Sequence, residues 1–437
     1  MVIASVSGIR GIFNRDLLLS DVVRYTRNFI RLSESRQFLL ASDTRHTGVV
    51  MKRAVGSAII REGADVIDCG SISTPALFRE SRMSGIPAVM ITASHNPPEW
   101  NGLKFIRSGM GIGLAEFEAI TGAGTAPPRR IESGRLTHER ARYNTDVLEA
   151  SKGDGTDAGI RAVLDLGAGA AIFHAPFILR SLGCTVHTIN DTPGLFGRTI
   201  DPTADPLESL SRSVVSSSAD IGFAFDCDGD RLVIVDDNGE KRSGDFMLTL
   251  ALRVVLSDQK VSGVAVSVDT TRAVDELLHQ FGAEVHRTPV GEANVIQGIK
   301  ASNLRFGGEG SSGGFIDADF NHCRDAMIAC TTLVRGLKRW GRKFYHTATR
   351  SYYQTRTRVE IPRSSALKAI RRLAKENPDA ETLDGVKLSI SQNSWVLIRA
   401  SGTEDIVRVS SEAMSQKDAD EIAGSYAQRV RRLATAP

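Results

Sequence analysis

The sequence has few cysteines and lacks long apolar runs. Its five cysteines are scattered and show no Cys-x-x-Cys spacing, which predicts reduced thiols in a cytoplasmic protein. No stretch of ~18 consecutive apolar residues occurs, and the first residues lack the charged start and long apolar segment of a secretion signal. We therefore expect neither secretion nor a membrane partner.

A strong excess of charge of one sign is also absent. The 54 lysines and arginines are balanced by 51 aspartates and glutamates, which leaves a formal net charge of +3. This balance is weak evidence for a polyanionic partner, so we expect no nucleic-acid binding. The densest basic run, residues 429–432, lies in a helix-like tail and is typical of a solvated helix face.

One pattern occurs three times along the 437 residues: an apolar strand, a polar loop, a helix, a glycine and a second strand. The copies begin at Phe38, Ala162 and Val264. A glycine at the end of a helix followed by a β-branched strand is typical of a βαβ unit that turns back. The repeat predicts an α/β fold with three similar domains whose mixed sheets are mainly parallel.

The pattern changes after about Tyr345. Strands are predicted at 357–361, 386–390 and 395–398, and helices at 364–375 and 416–433, which indicates a smaller C-terminal α+β domain. Glycine-rich polar stretches supply candidate linkers. The predicted domains are residues 1–150, 151–245, 246–350 and 351–437.

Residues 92–104 read Thr-Ala-Ser-His-Asn-Pro-Pro-Glu-Trp-Asn-Gly-Leu-Lys and follow an apolar strand at 88–91. The two prolines cannot continue a strand, so Ser94 is expected where the strand gives way to a turn, with its hydroxyl exposed. From these residues alone, Ser94 is either a turn-forming residue or a nucleophile.

Three carboxylates at alternate positions, Asp226, Asp228 and Asp230, follow another apolar strand. Their oxygens can converge on a hard divalent cation, and without such a cation three like charges repel each other. An EF-hand is disfavoured because Arg231 occupies the sixth position and Asp237 the twelfth. The alternative is an acidic, solvated turn.

Three further loops combine small residues with a charge. Residues 399–404 read Arg-Ala-Ser-Gly-Thr-Glu, typical of a phosphate-binding loop or of an ordinary turn, and residues 7–11 read Ser-Gly-Ile-Arg-Gly. Residues 307–314, Gly-Gly-Glu-Gly-Ser-Ser-Gly-Gly, form either a sugar-binding loop or a linker. Gly167 and Gly169 give only a weak dinucleotide signal, because Ile172 replaces the third glycine.

Taken together and in this order, the motifs resemble those of the α-D-phosphohexomutase family, which includes the phosphoglucomutases, phosphomannomutases and phosphoglucosamine mutases. The resemblance covers the whole chain and is closest to archaeal members. It implies four domains around a central cleft. It also implies a Mg²⁺-dependent isomerase that moves a phosphoryl group between O6 and O1 of a hexose phosphate through a hexose 1,6-bisphosphate.

The resemblance implies a role for each matching residue. Ser94 carries the phosphoryl group, and Mg²⁺ binds to it and to Asp226, Asp228 and Asp230. The catalytic group is completed by Arg10, His95, Lys104 and Arg231. The sugar is bound by Glu309 and Ser311, with Ser312 as the alternative serine, and the second phosphate is bound by Arg399, Ser401, Gly402 and Thr403. Such a site is physically coherent, because phosphoryl transfer depends mainly on positioning and charge neutralisation.

Three departures from the family pattern concern the substrate. The sugar loop lacks the histidine of the frequent Gly-Glu-x-Ser-Gly-His form, and Ala400 and Asp405 replace frequent prolines. Glucosamine phosphate is the favoured substrate, with mannose or glucose phosphate as the alternatives. A phosphatase with Asp226 as nucleophile and a non-catalytic sugar-phosphate-binding protein are more distant readings. The oligomeric state is not readable from the sequence.

Overall fold

The computed structural model of the protein describes residues 2–122, 124, 133–151, 159–347, 352–401 and 405–435. These residues form four β-sheets in chain order, each covered by helices. We call the units built on the sheets domains I to IV. The predicted fold class, three α/β domains followed by a smaller α+β domain, is confirmed.

Domain I is built on a mixed sheet. Its strands are β1 (Ile3–Ser5), β2 (Gly8–Ile12), β3 (Gln37–Ser42), β4 (Asp65–Ser71), β5 (Ala88–Ile91), β6 (Trp100–Arg107), β7 (Met110–Gly111) and β8 (Leu136–His138), and its helices are α1 (Leu19–Ser33), α2 (Gly48–Arg61), α3 (Thr74–Ser84), α4 (Leu114–Gly122) and α5 (Tyr143–Ser151). The strand order is β1-β2-β6-β5-β3-β4-β8, with β7 paired to β6. The pairs from β5 to β8 are parallel, and β6 is antiparallel to both of its long neighbours, β2 and β5.

Domains II and III share one topology, as the sequence repeat predicts. Domain II contains β9 (Arg161–Asp165), β10 (Thr185–Ile189), β11 (Ile221–Phe225), β12 (Leu232–Val235), α6 (Ala175–Ser181) and α7 (Glu208–Ser216). Domain III contains α8 (Gly244–Asp258), β13 (Gly263–Ser267), α9 (Ala273–Gln280), β14 (Glu284–Thr288), α10 (Glu292–Ala301), β15 (Phe306–Glu309), β16 (Gly314–Asp317) and α11 (Ala326–Trp340). Each sheet joins three parallel strands to one antiparallel strand, in the orders β10-β9-β11-β12 and β14-β13-β15-β16.

The glycines of the repeat have the conformation that the turn requires. Gly63, Gly183 and Gly282 have φ values of 84°, 80° and 66°. This left-handed region is accessible to glycine without strain, so at each of the three glycines the chain can leave a helix and enter the next strand.

Domain IV is antiparallel throughout its sheet, in the order β17-β20-β19-β18. Its elements are β17 (Tyr353–Glu360), α12 (Arg363–Glu376), β18 (Val386–Ser391), β19 (Ser394–Ala400), β20 (Ile406–Ala413) and α13 (Gln416–Thr435). Every element predicted after Tyr345 is present, because alternating apolar residues and amphipathic helices are strong local signals.

The apolar core is distributed unevenly among the domains. One continuous cluster of buried side chains extends from Leu39 to Tyr345 and includes residues of domains I, II and III. Domain IV has a separate core, and a small cluster of Val268, Trp395 and Leu397 joins it to domain III. Helix α8 begins at Gly244, so the predicted division at 245/246 falls within its first turn. Among the described residues, no helix is long and apolar enough to cross a bilayer.

Candidate active site

Ser94 lies in the connection between β5 and β6, as the prolines after it predict. Its φ is +53°, a strained conformation for a residue with a Cβ, which is common at functional positions. The expectation of an exposed hydroxyl is wrong, because Ser94 is only 1 % exposed. The acidic loop of domain II covers it, and the Ser94 Oγ lies 3.2 Å from Asp226 Oδ2.

A buried arginine that the sequence analysis missed supports this connection. The side chain of Arg45 pairs with Asp43 Oδ2 at 3.1 Å, and both side chains are fully buried. Its guanidinium also donates at 2.5–3.0 Å to four backbone carbonyls of the loop, those of Ser94, Asn96, Pro97 and Trp100. The signal available in the sequence was only Asp43-Thr44-Arg45 at the end of a strand.

The acidic loop joins β11 to β12, and its three carboxylates are buried together. Ligand oxygens of Asp226, Asp228 and Asp230 lie within 4.8 Å of one another, so the group can hold a metal ion. Each carboxylate has one oxygen fixed by protein donors. Asp226 Oδ1 accepts from the backbone N–H groups of Asp230 and Arg231, and Asp228 Oδ2 accepts from the Thr74 hydroxyl and Lys104.

The remaining oxygens of the acidic loop fit a hard cation. Asp228 Oδ1 and Asp230 Oδ1 are buried and have no hydrogen-bond partner among the described residues, and Asp226 Oδ2 accepts from Ser94. A buried carboxylate oxygen without a partner is costly. These two oxygens, Asp226 Oδ2 and the Ser94 hydroxyl together form the all-oxygen donor set that Mg²⁺ prefers.

The electrostatics of the three carboxylates differ. Burial and the neighbouring Asp230 and Asp228 raise the pKa of Asp226 well above its ordinary value. Burial acts the same way on Asp228, but Lys104 outweighs it and lowers the pKa. For Asp230, Arg324 and Lys104 overcome burial and hold the pKa far below its usual range.

The predicted catalytic cations surround this loop. Lys104 Nζ lies 2.7 Å from Asp228 Oδ2 and 3.5 Å from Asp230 Oδ2. Arg231 Nη2 lies 2.8 Å from His95 Nδ1, and its Nη1 lies 3.2 Å from Asp201 Oδ2. Arg231 and burial lower the pKa of His95 well below its ordinary value, so this ring is neutral at neutral pH.

Arg10 lies at the edge of the same cluster. It is on β2 directly opposite Gly102 of β6, and its Nη1 lies 3.5 Å from the side-chain oxygen of Asn96. Its buried Nε has no hydrogen-bond partner in the part of the chain that the structure describes. The fold therefore brings Ser94, the predicted catalytic cations and the acidic loop together, although their elements belong to two domains.

The predicted sugar loop lies beside this cluster. Glu309 ends β15 and is buried, and its Oε1 accepts from the backbone N–H of Gly291 at 2.7 Å. Burial raises the pKa of Glu309. The Arg324 guanidinium, whose Nη1 lies 3.2 Å from Glu309 Oε2, opposes this rise. Ser312 donates to the Glu309 carbonyl and accepts from Arg324, and both Ser311 and Ser312 are half-buried.

The predicted phosphate-binding group is described in part. Arg399 is at the end of β19 and Ser401 is buried just after it, whereas Gly402 and Thr403 lie outside the described residues. Arg399 Nε lies 3.2 Å from Asp384 Oδ2, which also accepts from the Val290 N–H at 2.9 Å. The next N–H, that of Gly291, donates to Glu309, so this short segment connects Arg399 to the sugar loop.

The glycines of the weak dinucleotide signal have a packing role. A Cβ at Gly169 would lie 2.7 Å from the Cα of Cys227, in the middle of the acidic loop. Only glycine allows the first loop of domain II to approach the acidic loop so closely.

Comparison with known proteins gives one consistent result. Models of the phosphoglucomutase/phosphomannomutase family match the alpha/beta/alpha domains I, II and III at residues 2–126, 141–239 and 243–354, and the C-terminal domain at residues 357–428. The "Probable phosphoglucosamine mutase" of Methanopyrus kandleri is 34 % identical over 442 residues, which cover 98 % of this chain and 97 % of the relative.

A second relative and a solved structure agree. The "Phosphoglucomutase/phosphomannomutase" of Thermococcus kodakarensis is 33 % identical and covers 95 % of each chain. The crystal structure of a phosphoglucomutase/phosphomannomutase family protein from Burkholderia thailandensis superposes with a TM-score of 0.84 at 23 % identity, covering 99 % of each chain.

Proposed function

The chain belongs to the phosphoglucomutase/phosphomannomutase family, and from that premise we propose that it moves a phosphoryl group between O6 and O1 of a hexose phosphate. The observation that carries the proposal is the position of Ser94. Its hydroxyl lies 3.2 Å from Asp226, which belongs to a buried group of three carboxylates that Lys104 and Arg231 also contact. An acidic loop placed against a serine and flanked by cations suits phosphoryl transfer.

Ser94 carries the phosphoryl group between the two sugar positions. Phosphorylated Ser94 donates to one hydroxyl of the hexose phosphate and forms a hexose 1,6-bisphosphate, which also serves as the activator that loads the serine. After the bisphosphate turns over in the cleft, its other phosphoryl group returns to Ser94. The bond formed to the serine oxygen replaces the bond broken at the sugar oxygen, so each cycle leaves the enzyme unchanged.

The neighbouring side chains have separate tasks in this scheme. Lys104, Arg231 and Arg10 balance the charge of the phosphoryl group, and neutral His95 fixes the guanidinium of Arg231. Mg²⁺, bound by Ser94, Asp226, Asp228 and Asp230, would supply further charge neutralisation. Glu309 with Ser311 or Ser312 binds the sugar hydroxyls, and Arg399, Ser401, Gly402 and Thr403 bind the distal phosphate.

The favoured reaction is the conversion of glucosamine 6-phosphate to glucosamine 1-phosphate. The support is the archaeal phosphoglucosamine mutase at 34 % identity. The relative at 33 % identity is named as a phosphoglucomutase/phosphomannomutase, so mannose and glucose phosphates are the alternatives.

A substrate panel with the phosphorylated enzyme tests the proposal. Glucosamine, mannose and glucose 6-phosphates are supplied with Mg²⁺ and the matching 1,6-bisphosphate, and formation of each 1-phosphate is followed by NMR. We expect the fastest turnover with glucosamine 6-phosphate. If none of the three hexose phosphates were isomerised, the proposed function would be contradicted.

Two serine variants separate the mutase from other chemistry. Ser94→Ala is expected to abolish isomerisation and labelling by the bisphosphate. Ser108→Ala is the matched control, because Ser108 has a similar φ of +49° but is exposed. Inorganic phosphate release that survives Ser94→Ala would instead indicate a phosphatase with Asp226 as its nucleophile.

A further inference from the structure

Arg324 is a largely buried cation that none of the roles above uses. It lies between β16 and α11, and its side chain is 11 % exposed. Its Nη2 donates to Asp230 Oδ2 at 2.8 Å, and its Nη1 lies 3.2 Å from Glu309 Oε2 and 3.1 Å from Ser312 Oγ. One guanidinium therefore contacts both the acidic loop of domain II and the sugar loop of domain III.

The contact with Asp230 uses only one of its oxygens. Asp230 Oδ2 is occupied by Arg324, while Oδ1 is buried and has no hydrogen-bond partner. Asp228 has the same arrangement. Lys104 and Thr74 donate to its Oδ2, and its Oδ1 has no hydrogen-bond partner among the described residues. Side chains that hold the outer oxygen of a metal-binding carboxylate set its orientation, and their loss typically weakens metal binding by ~10–100-fold.

Gly314 leaves room for this arginine. A Cβ at Gly314 would lie 2.2 Å from Arg324 Cδ and 2.7 Å from its Cγ. Its φ is outside the left-handed region, so the backbone itself accepts alanine. The side chain of Arg324 is therefore the nearest obstacle to a larger residue at position 314.

We propose that Arg324 is a positioning residue that holds Asp230 for the metal and Glu309 for the sugar in one fixed arrangement. The proposal rests on the function proposed above. A planar guanidinium can donate to two carboxylates in different directions, whereas an ammonium group is a single point charge. Metal affinity and sugar affinity therefore depend on the same side chain.

Arg324→Gln and Arg324→Lys test this proposal against Arg79→Gln. Arg79 is the matched control, because its side chain is 16 % exposed and joins Asp146 of domain I to the Phe320 carbonyl of domain III, outside the site. Mn²⁺ binding is measured by electron paramagnetic resonance without sugar phosphate, and kcat and KM are measured at saturating Mg²⁺. We expect Arg324→Gln to weaken Mn²⁺ binding about tenfold or more and to raise KM. Arg324→Lys should have a smaller effect on Mn²⁺ binding and on KM than Arg324→Gln. Arg79→Gln should lower the unfolding midpoint and leave Mn²⁺ binding and KM unchanged.

Gly314→Ala gives an independent route to the same result. It should reproduce the Arg324→Gln losses, and the double variant should be no worse than either single variant, because both remove one interaction. Unchanged Mn²⁺ affinity and KM in Arg324→Gln and Gly314→Ala would overturn the proposal and make Arg324 structural. The metal measurement needs no turnover, so it remains decisive even if no hexose phosphate is isomerised.

Discussion

At the scale of single residues, the loop that carries Ser94 depends on Arg45. The arginine satisfies four backbone carbonyls from a fully buried position. Lysine offers three donors on one nitrogen and cannot reach all four carbonyls. Arg45→Lys is expected to lower the free energy of unfolding by about 3 kcal/mol, because each buried carbonyl left unpaired costs roughly 1–3 kcal/mol.

Urea denaturation measures the effect of Arg45→Lys on stability, and kcat reports the position of Ser94. Arg24→Lys is the control, because Arg24 forms a partly exposed pair with Asp21 on α1. It should change stability by less than about 0.5 kcal/mol. A similar small effect at Arg45 would show that the carbonyl contacts do not support the loop.

His174 gives the junction of domains I and II a pH dependence. Its Nε2 accepts from the backbone N–H of Ser73 at 3.1 Å, and its Nδ1 lies 2.7 Å from the side-chain oxygen of Asn144, so the neutral ring satisfies both partners. Burial lowers its pKa from 6.5 to about 3. The folded state therefore binds fewer protons than the unfolded state between these values, and stability is lost as the pH falls through this window.

Between pH 7.0 and pH 4.5 this single group should cost about 2.5 kcal/mol of unfolding free energy. Over the same interval, the unfolding free energy of His174→Gln, measured by urea denaturation, should fall by about 2.5 kcal/mol less than that of the parent. His138→Gln, at an exposed histidine, should follow the parent. Parallel pH curves for parent and His174→Gln would contradict this assignment.

Residue contacts of this kind explain what the sequence did not predict. Arg45, His174, Arg324 and Asp384 belong to no motif, and the groups that they contact lie elsewhere in the folded chain. Ser94 was expected to be exposed because nothing near it in the chain covers it. The covering carboxylate is Asp226, 132 positions away.

At the scale of elements, strand β6 shows how backbone packing places Lys104, the proposed catalytic lysine. A Cβ at Gly102 would lie 2.3 Å from the carbonyl oxygen of Ile9 and 2.9 Å from that of Thr92. Both obstacles are backbone atoms on either side of the strand. Glycine therefore allows β6 to fit between its neighbours and carry Lys104 to the acidic loop.

Gly102→Ala should lower the free energy of unfolding by about 3 kcal/mol, because overpacking against backbone forces the strands apart. It should also lower kcat, because Arg10 and Lys104 flank the disturbed position. Gly111→Ala is the control, since a Cβ at this exposed position on the paired β7 meets nothing within 4 Å. Equal stabilities of the two variants, measured in urea, would refute the packing argument.

Elements were more predictable than contacts for a physical reason. The strand at 88–91, the three strand–helix–strand repeats and the C-terminal helices depend on local apolar periodicity and on glycines that end helices. Helix α8 begins at Gly244, where Ser243 caps it by accepting from the Phe246 N–H. That cap follows a polar stretch at 236–242, which resembles a linker in sequence.

At the scale of the whole molecule, domain IV is joined to domain III by one small apolar cluster and by several polar contacts, among them those of Arg356 with Asp245 and of the Arg272 N–H with Glu412. Domains I, II and III share one apolar cluster, whereas domain IV has its own. Between domains III and IV, Trp395 and Leu397 pack on Val268, and Lys387 Nζ donates to the Val268 carbonyl at 2.7 Å. Because domain IV has its own core and a mostly polar interface, we expect it to unfold as a separate unit.

Trp395 can report this separation because it is 1 % exposed at the interface. In a Trp100→Phe, Trp340→Phe background, its emission should shift to longer wavelength at a lower urea concentration than the main loss of helical circular dichroism. Val268→Ala should lower the free energy of unfolding of domain IV by about 1–2 kcal/mol. The Trp395 transition should therefore move to a lower urea concentration, and the main transition should stay in place. Val264→Ala changes the core shared by domains I, II and III, so it should move the main transition and leave the Trp395 transition in place. A single transition that both variants move equally would contradict this expectation. Domain IV and the other three domains would then unfold as one cooperative body, and the proposed phosphate-binding loop would belong to a fixed rather than a mobile domain.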